Sequence, residues 1–151
     1  MTHNVISFRK AAEQDYPLLF EIEKKTFIRN FDITFPTLQA FRKFFLDKPY
    51  QLSIITYKNI PVGSFFLSVT SNAIDIEGIT ILPEYQNKGI GTYTVKNILN
   101  RHPDVLFRLV THPENYPAIK LYYNTGFTVV GYKENYYGDG QPRLILERKP
   151  Q

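Results

Sequence analysis

The stretch Leu82-Pro83-Glu84-Tyr85-Gln86-Asn87-Lys88-Gly89-Ile90-Gly91-Thr92 decides how this chain is read. It leaves an apolar, strand-like segment, passes through a tight polar turn and enters a helix. The first amides of a helix have no partner within it and point outward. The aligned peptide dipoles add partial positive charge at the same end. Gly89 and Gly91 carry no side chain that would hold an anion away. Strand, glycine turn and helix start in this order can form a cradle for a pyrophosphate. The spacing G-x-x-x-x-G-K-[ST] is absent, and so is G-x-G-x-x-G, so neither a Walker loop nor a dinucleotide fingerprint is present. Taken alone, the junction fits either an anion cradle or a purely structural turn.

Upstream of it, residues 73–82 read as a strand, the fourth in the chain. Ile74, Ile76, Gly78 and Thr80 are expected to alternate there with Asp75, Glu77, Ile79 and Ile81, which places two carboxylates on one face. Residues 51–57 and 62–70 read as a hairpin around Lys58-Asn59, with Ser71-Asn72 as the next turn. Residues 5–10 are a first strand. Between them lie two helices, one over residues 11–26 with apolar residues at Tyr16, Leu19, Phe20, Ile22 and Phe27 at roughly helical spacing, the other over residues 37–46 with Thr37 as N-cap. Asp15 is the expected N-cap of the first, with Pro17 inside its first turn. Downstream, a helix runs from Gly89 to about Asn100 and a fifth strand covers residues 105–111. A helix over 116–124 is capped by Asn115 and stopped by Gly126, and strands at 127–132 and 143–147 flank a polar, glycine-rich loop. The order β-α-α-β-β-β-α-β-α-β-β predicts an α/β (mixed α+β) fold with a central mixed sheet and helices on both faces.

The chain has 151 residues, which fits one domain spanning 1–151. At 43% hydrophobic and 21% charged residues it is neither disordered nor fibrous. Without cysteine there is no disulfide, Cys-ligated zinc, iron–sulfur cluster or cysteine nucleophile. His3, His102 and His112 show no partner pattern, the last two reading as loop residues, so no metal is expected. No apolar run approaches the ~20 residues of a membrane span, and the first ten residues do not read as a signal peptide. The expectation is a cytoplasmic protein with no membrane partner. A net charge of +4 with no run of four Lys or Arg disfavours nucleic acid and suits a phosphate-rich small molecule. With no Trp, the 12 Phe and 11 Tyr must build core and pocket walls.

A second motif follows the fifth strand: Asn115-Tyr116-Pro117-Ala118-Ile119-Lys120-Leu121-Tyr122-Tyr123-Asn124-Thr125-Gly126-Phe127. Together, Q-x-x-G-x-G and N-x-x-A-x-x-L-Y-x-x-x-G-F resemble the GNAT superfamily of acyl-CoA-dependent N-acetyltransferases, and the element order resembles it over nearly the whole chain. The resemblance implies a mostly antiparallel sheet splayed between strands 4 and 5. It implies acetyl-CoA as cosubstrate, with Gln86, Asn87, Lys88, Gly89, Ile90, Gly91 and Thr92 around the pyrophosphate. Ile79, Thr80 and Ile81 would pair in strand fashion with the pantetheine arm, and an amide near Ile81 would polarise the thioester carbonyl. Asn115 would contact the arm. Tyr122 would border the cofactor and protonate the departing thiolate, while Tyr123, about 100° round the helix, reads as packing.

The attacking amine must lose a proton, so a base or water relay is needed. Glu77 is favoured and Asp75 is the alternative; an anchor for the substrate ammonium, or a solvated strand face, is the other reading of both. N-terminal acetyltransferases of this superfamily often carry a glutamate in the fifth strand, where this chain has Arg108-Leu109-Val110-Thr111. The stretch from Glu134 to Gly140 resembles their aromatic hairpin loop, which makes Tyr136 and Tyr137 candidate acceptor walls. Phe27 and Phe31, with Phe35, lie where the superfamily shapes its acceptor pocket; core packing is the competing reading. The implied reaction is direct acetyl transfer to a primary amine of a small molecule or peptide, without a covalent enzyme intermediate. N-terminal or lysine protein acetylation is an alternative within enzymes, and a non-catalytic acyl-CoA sensor or interaction module is one outside them. A homodimer is possible by the same resemblance.

Overall fold

A computed structural model describes residues 5–151; His3 and the first four residues of the leader reading lie outside them. The elements are β1 (Ile6–Lys10), α1 (Tyr16–Thr26), α2 (Leu38–Asp47), β2 (Gln51–Tyr57), β3 (Ile60–Val69), β4 (Ala73–Ile81), α3 (Ile90–Arg101), β5 (Leu106–Thr111), α4 (Tyr116–Asn124), β6 (Thr128–Lys133) and β7 (Arg143–Arg148). Their order is the one read from the sequence. β3 begins two residues early because Lys58 and Asn59 both take positive φ, 51° and 66°. That is a two-residue primed turn, so Ile60 already pairs with Tyr57.

The strands form one sheet in the order β1-β2-β3-β4-β5-β7-β6. All neighbours are antiparallel except β4 and β5. Those two pair only over Ala73–Asp75 and Leu106–Arg108, although β4 runs on to Ile81 and β5 to Thr111. Beyond residue 75 the strands therefore splay apart, and the two edges facing the gap lack a strand partner.

Each face carries its own core. α1 and α2 press Leu19, Phe20, Phe41 and Phe45 onto Leu52 and Ile54. The rings interlock edge to face, for example Phe35 on Phe41 at 5.2 Å, and full burial of such a side chain contributes about 1.5–3 kcal/mol. On the other face, α3 and α4 bury Ile90, Val95, Leu99 and Tyr122 against Ile74, Ile76, Phe107 and Leu146. The α1–α2 core includes no residue of β5, β6 or β7. On that face the far half of the sheet carries no helix, and loop 134–142 between β6 and β7 reaches over it.

Two expectations are corrected. The alternation along residues 73–82 breaks at a β-bulge: Phe66 pairs with Gly78 and Leu67 with Ile76, leaving Glu77 without a partner. Past the bulge the faces exchange. Ile79 and Ile81 join Ile74 and Ile76 on the α3–α4 core, while Thr80 turns towards α1 and its hydroxyl donates to Glu23 Oε1 at 3.0 Å. Asp15 stands at the start of α1 but makes no side-chain cap. Both its oxygens accept from Arg9 at 2.9 Å, and Oδ2 also accepts from the Ala12 amide. Arg9, then that amide, hold its carboxyl down at about 2. Thr37 and Asn115 do cap, accepting from Ala40 and Ala118 amides.

Candidate active site

Asn87 and Gly89 take left-handed conformations, φ 61° and 82°, which turn the chain from the end of β4 into α3. Gly89 is the N-cap and offers no side-chain acceptor. The Tyr93 amide is the first to find a carbonyl, that of Gly89 at 3.0 Å. The amides of Ile90, Gly91 and Thr92 thus have no partner among the described residues, at the positive end of a 12-residue helix. Lys88 and the open space around Gly89 lie on the outer side, while Ile90, 1% exposed, anchors the helix start in the core. These features fit a pyrophosphate.

The Leu82 amide donates to the Val62 carbonyl, and a Cβ on Gly63 would collide with the Thr80 carbonyl. Residues 80 and 82 therefore face β3, and by the antiparallel ladder Ile79 and Ile81 turn their backbone groups to the gap. The Gln86 side-chain amide donates to the Ile81 carbonyl at 2.9 Å, tying the glycine turn to the splay. A Cβ on Gly91 would sit 3.5 Å from Ile81 and Leu121, in the crevice between β4 and α4. That is ordinary contact, and alanine suits a helix better than glycine by about 1 kcal/mol. A pyrophosphate seated on the Ile90–Thr92 amides would meet that methyl, so Gly91→Ala is expected to keep or raise Tm while raising the KM for a pyrophosphate-bearing cosubstrate about tenfold; thermal melts and initial rates check both.

Tyr122 reaches up from α4, 9% exposed, its ring edge-on to Phe127 at 5.6 Å. Its hydroxyl makes no hydrogen bond to a described residue, and burial pushes its pKa up to about 12. Asn115 spends its carbonyl oxygen on the α4 cap, which leaves its amide to donate.

At the root of the splay, on the half of the α1–α2 face that carries no helix, lies a cavity of about 530 Å³. Its lining brings together Asp75, Glu77, Tyr136 and Tyr137 from the sequence reading with Arg108 and Glu147, which that reading missed as site residues. Asp75 is opposite Arg108 in the parallel pair. The guanidinium donates to both its oxygens, at 2.8 and 3.3 Å. Asp75 is thereby engaged, whereas Glu77 makes no ion pair or hydrogen bond with a described residue. Burial first, then the charge of Asp75, raise the Glu77 carboxyl above its ordinary 4.5, with Lys48 and Arg108 opposing. Tyr137 is pushed up to about 12 by burial and by neighbouring Tyr136 and Glu77.

The loop aromatics part company. Phe27 lines a separate small hollow with Glu23 and Phe35, and Phe35 belongs to the α1–α2 core. Phe31 lies against His112, ring centres 4.6 Å apart and planes tilted by 30°. The loop carrying it, 27–37, is bonded through the Phe31 carbonyl to Arg143 of β7. His112 is a loop residue, as read, but buried. Glu23 was not singled out by the sequence. Its carboxyl, raised by burial and by Asp32 against the Thr80 bond, touches the residue between Ile79 and Ile81. Its folded value lies above the unfolded one, so ionisation destabilises the fold above that value and has no effect below the unfolded value. Glu23→Gln keeps an acceptor for Thr80 and is expected to raise Tm at pH 7 but not at pH 4.

Residues 16–127 match the Acetyltransferase (GNAT) family. An N-alpha-acetyltransferase of Saccharolobus solfataricus is 32% identical over 77 residues, covering 48% of this chain and 46% of that protein. The match thus spans about half the length of that curated relative. A ribosomal L7/L12 alpha-N-protein acetyltransferase solved with coenzyme A superposes at TM-score 0.83, 15% identity, over 99% of this chain and 97% of its own. Naa50 of Arabidopsis thaliana, solved with a bisubstrate analogue, superposes at TM-score 0.77, 16% identity, over 96% and 99%. At these identities the superpositions speak for the fold, while the family match covers well over half of the sequence and includes the glycine turn at Gln86–Thr92 and the Asn115–Phe127 motif: the chain belongs to the Acetyltransferase (GNAT) family.

Proposed function

We propose that the chain transfers the acetyl group of acetyl-CoA directly to the α-amine of a peptide or protein N-terminus. The reading rests on the cavity at the β4–β5 splay, bounded by loop 134–142, which Arg143 joins to loop 27–37 through Asp139 and the Phe31 carbonyl. A bounded cleft admits the end of a chain; a lysine flanked by backbone on both sides needs an open groove. The relatives described as N-terminal acetyltransferases support the same acceptor class.

Acetyl-CoA supplies an activated acyl thioester. The amides of Ile90, Gly91 and Thr92, with Lys88, hold its phosphates. Ile79 and Ile81 pair with the amides of its arm, and Asn115 donates to it. Glu77 accepts the amine proton, directly or through water, as the C–N bond forms and makes that proton acidic. Tyr122 donates to the leaving sulfur. Holding amine and thioester in one cleft supplies much of the acceleration. Asp75 orients Arg108, and Tyr136 and Tyr137 wall the acceptor.

A second reading, a free small amine, is favoured by the cavity volume, which falls in the ~300–1,000 Å³ range of small-ligand pockets. Thiol release from acetyl-CoA is measured with free N-terminal peptides, N-blocked peptides with an internal lysine, and small diamines. Release with the first class alone supports the proposal. Release with diamines alone moves the acceptor to small molecules. Acetyl-CoA binding with no release in any class overturns the enzyme in favour of an acyl-CoA sensor.

A further inference from the structure

Arg143 is 1% exposed and outside the cavity lining. Its guanidinium donates to Asp139 Oδ2 at 2.8 Å, to the Pro142 carbonyl at 3.0 Å and to the Phe31 carbonyl at 3.1 Å. It also lies 5.1 Å from the ring centre of Tyr137. A buried cation is tolerated only when paired and hydrogen-bonded; here one carboxylate and two carbonyls meet that need, and one of them belongs to the opposite loop. A second connection runs alongside. The Glu114 amide donates to His112 Nδ1 at 3.0 Å, so the ring proton sits on Nε2, which donates to Gln141 Oε1 at 2.9 Å. Phe31 packs against that ring at a tilt. Loops 27–37 and 134–142 contain no strand or α-helix of their own before Arg143, so these contacts hold them in place.

We propose that Arg143 is a positioning residue for acetyl transfer: it fastens the two loops together and holds the Tyr137 ring as a preset wall of the acceptor cavity. The proposal rests on the acceptor cavity assigned above. A preset wall lowers the ordering an acceptor must bring about on binding. Arginine is required because only its planar fork reaches three oxygens and a ring at once. Lysine at 143 can keep the charge opposite Asp139 but not the bond to Phe31 as well.

The test compares wild type, Arg143→Met, Arg143→Lys and Asp139→Asn. Expected for Arg143→Met is an acceptor-peptide KM about tenfold higher, with the acetyl-CoA KM unchanged and kcat within about twofold. Amide hydrogen exchange should quicken in residues 28–35 and 134–141 while β1–β5 stay protected, and Arg143→Lys should fall between. If Arg143→Met fails to fold, Asp139→Asn, at the more exposed end of the ion pair, is expected to give the same pattern at smaller size. Unchanged exchange in both loops overturns the proposal, as does a loss confined to kcat. If wild type acetylates no peptide, the proposed acceptor fails; the exchange data then still decide whether Arg143 joins the loops.

Discussion

Replacing Tyr122 by Phe is expected to lower kcat about a hundredfold while the acetyl-CoA KM and Tm stay close to wild type. The ring is core: it packs on Phe127 from inside the α3–α4 face, and Phe preserves that volume. Only the hydroxyl is lost, and it has no protein partner among the described residues, so no acceptor is stranded. With its pKa at about 12, the phenol keeps its proton throughout any assay range. Burial makes this phenol a weaker acid than usual, so full transfer of its proton to a departing thiolate is disfavoured. The role this leaves for the hydroxyl under the proposed reaction is hydrogen-bond donation while the C–S bond breaks, with the net proton arriving from solvent. Saturating single-turnover rates on both proteins test this. A variant within about twofold of wild type would make Tyr122 a core residue and nothing more. A variant that loses several degrees of Tm would place the effect in the fold.

What the sequence made legible was local. The caps at Thr37 and Asn115, the turn at Lys58-Asn59 and the glycine turn into α3 are each decided by a few adjacent residues, and the two motifs carried the family. The contacts that define the acceptor side join residues far apart. Asp75 meets Arg108 only because β4 and β5 run parallel and in register there. Thr80 meets Glu23 across 57 residues and Arg143 meets Phe31 across 112. The bulge at Glu77 belongs to the pairing of β4 with β3, so a period-two reading of β4 alone put Ile79 and Ile81 on the wrong face. Arg143 had a faint signal: in Arg143-Leu144-Ile145-Leu146-Glu147 it shares a face with Ile145 and Glu147, opposite the two leucines of the core. Phe27, Phe31 and Phe35 were indistinguishable by type, and only the course of loop 27–37 sends Phe31 to His112 while Phe27 and Phe35 share the hollow beside α1.

Glu77→Gln should reduce kcat/KM for the acceptor about a hundredfold at pH 7 and change the shape of the pH profile. In the wild type the carboxyl is held above its ordinary 4.5 by burial and by Asp75. The base form therefore appears only as pH rises through that raised value, so the acidic limb lies above the ordinary carboxylate range. In the glutamine variant no such group titrates and the limb disappears. Stability moves the other way. Ionising a carboxyl whose folded pKa is raised destabilises the fold above that pKa, so Glu77→Gln should melt no lower than wild type at pH 7. Asp75→Asn weakens the partner of Arg108 and should melt lower, which separates the two carboxylates by opposite signs. An acidic limb that survives in Glu77→Gln but vanishes in Glu23→Gln would overturn the assignment and move the base to the other wall. Glu23 is the one further carboxylate in direct contact with the strand segment between Ile79 and Ile81 among the described residues. The bulge is what makes both walls possible: it leaves Glu77 without a strand partner on the cavity side, and three residues further along it turns Thr80 to meet Glu23.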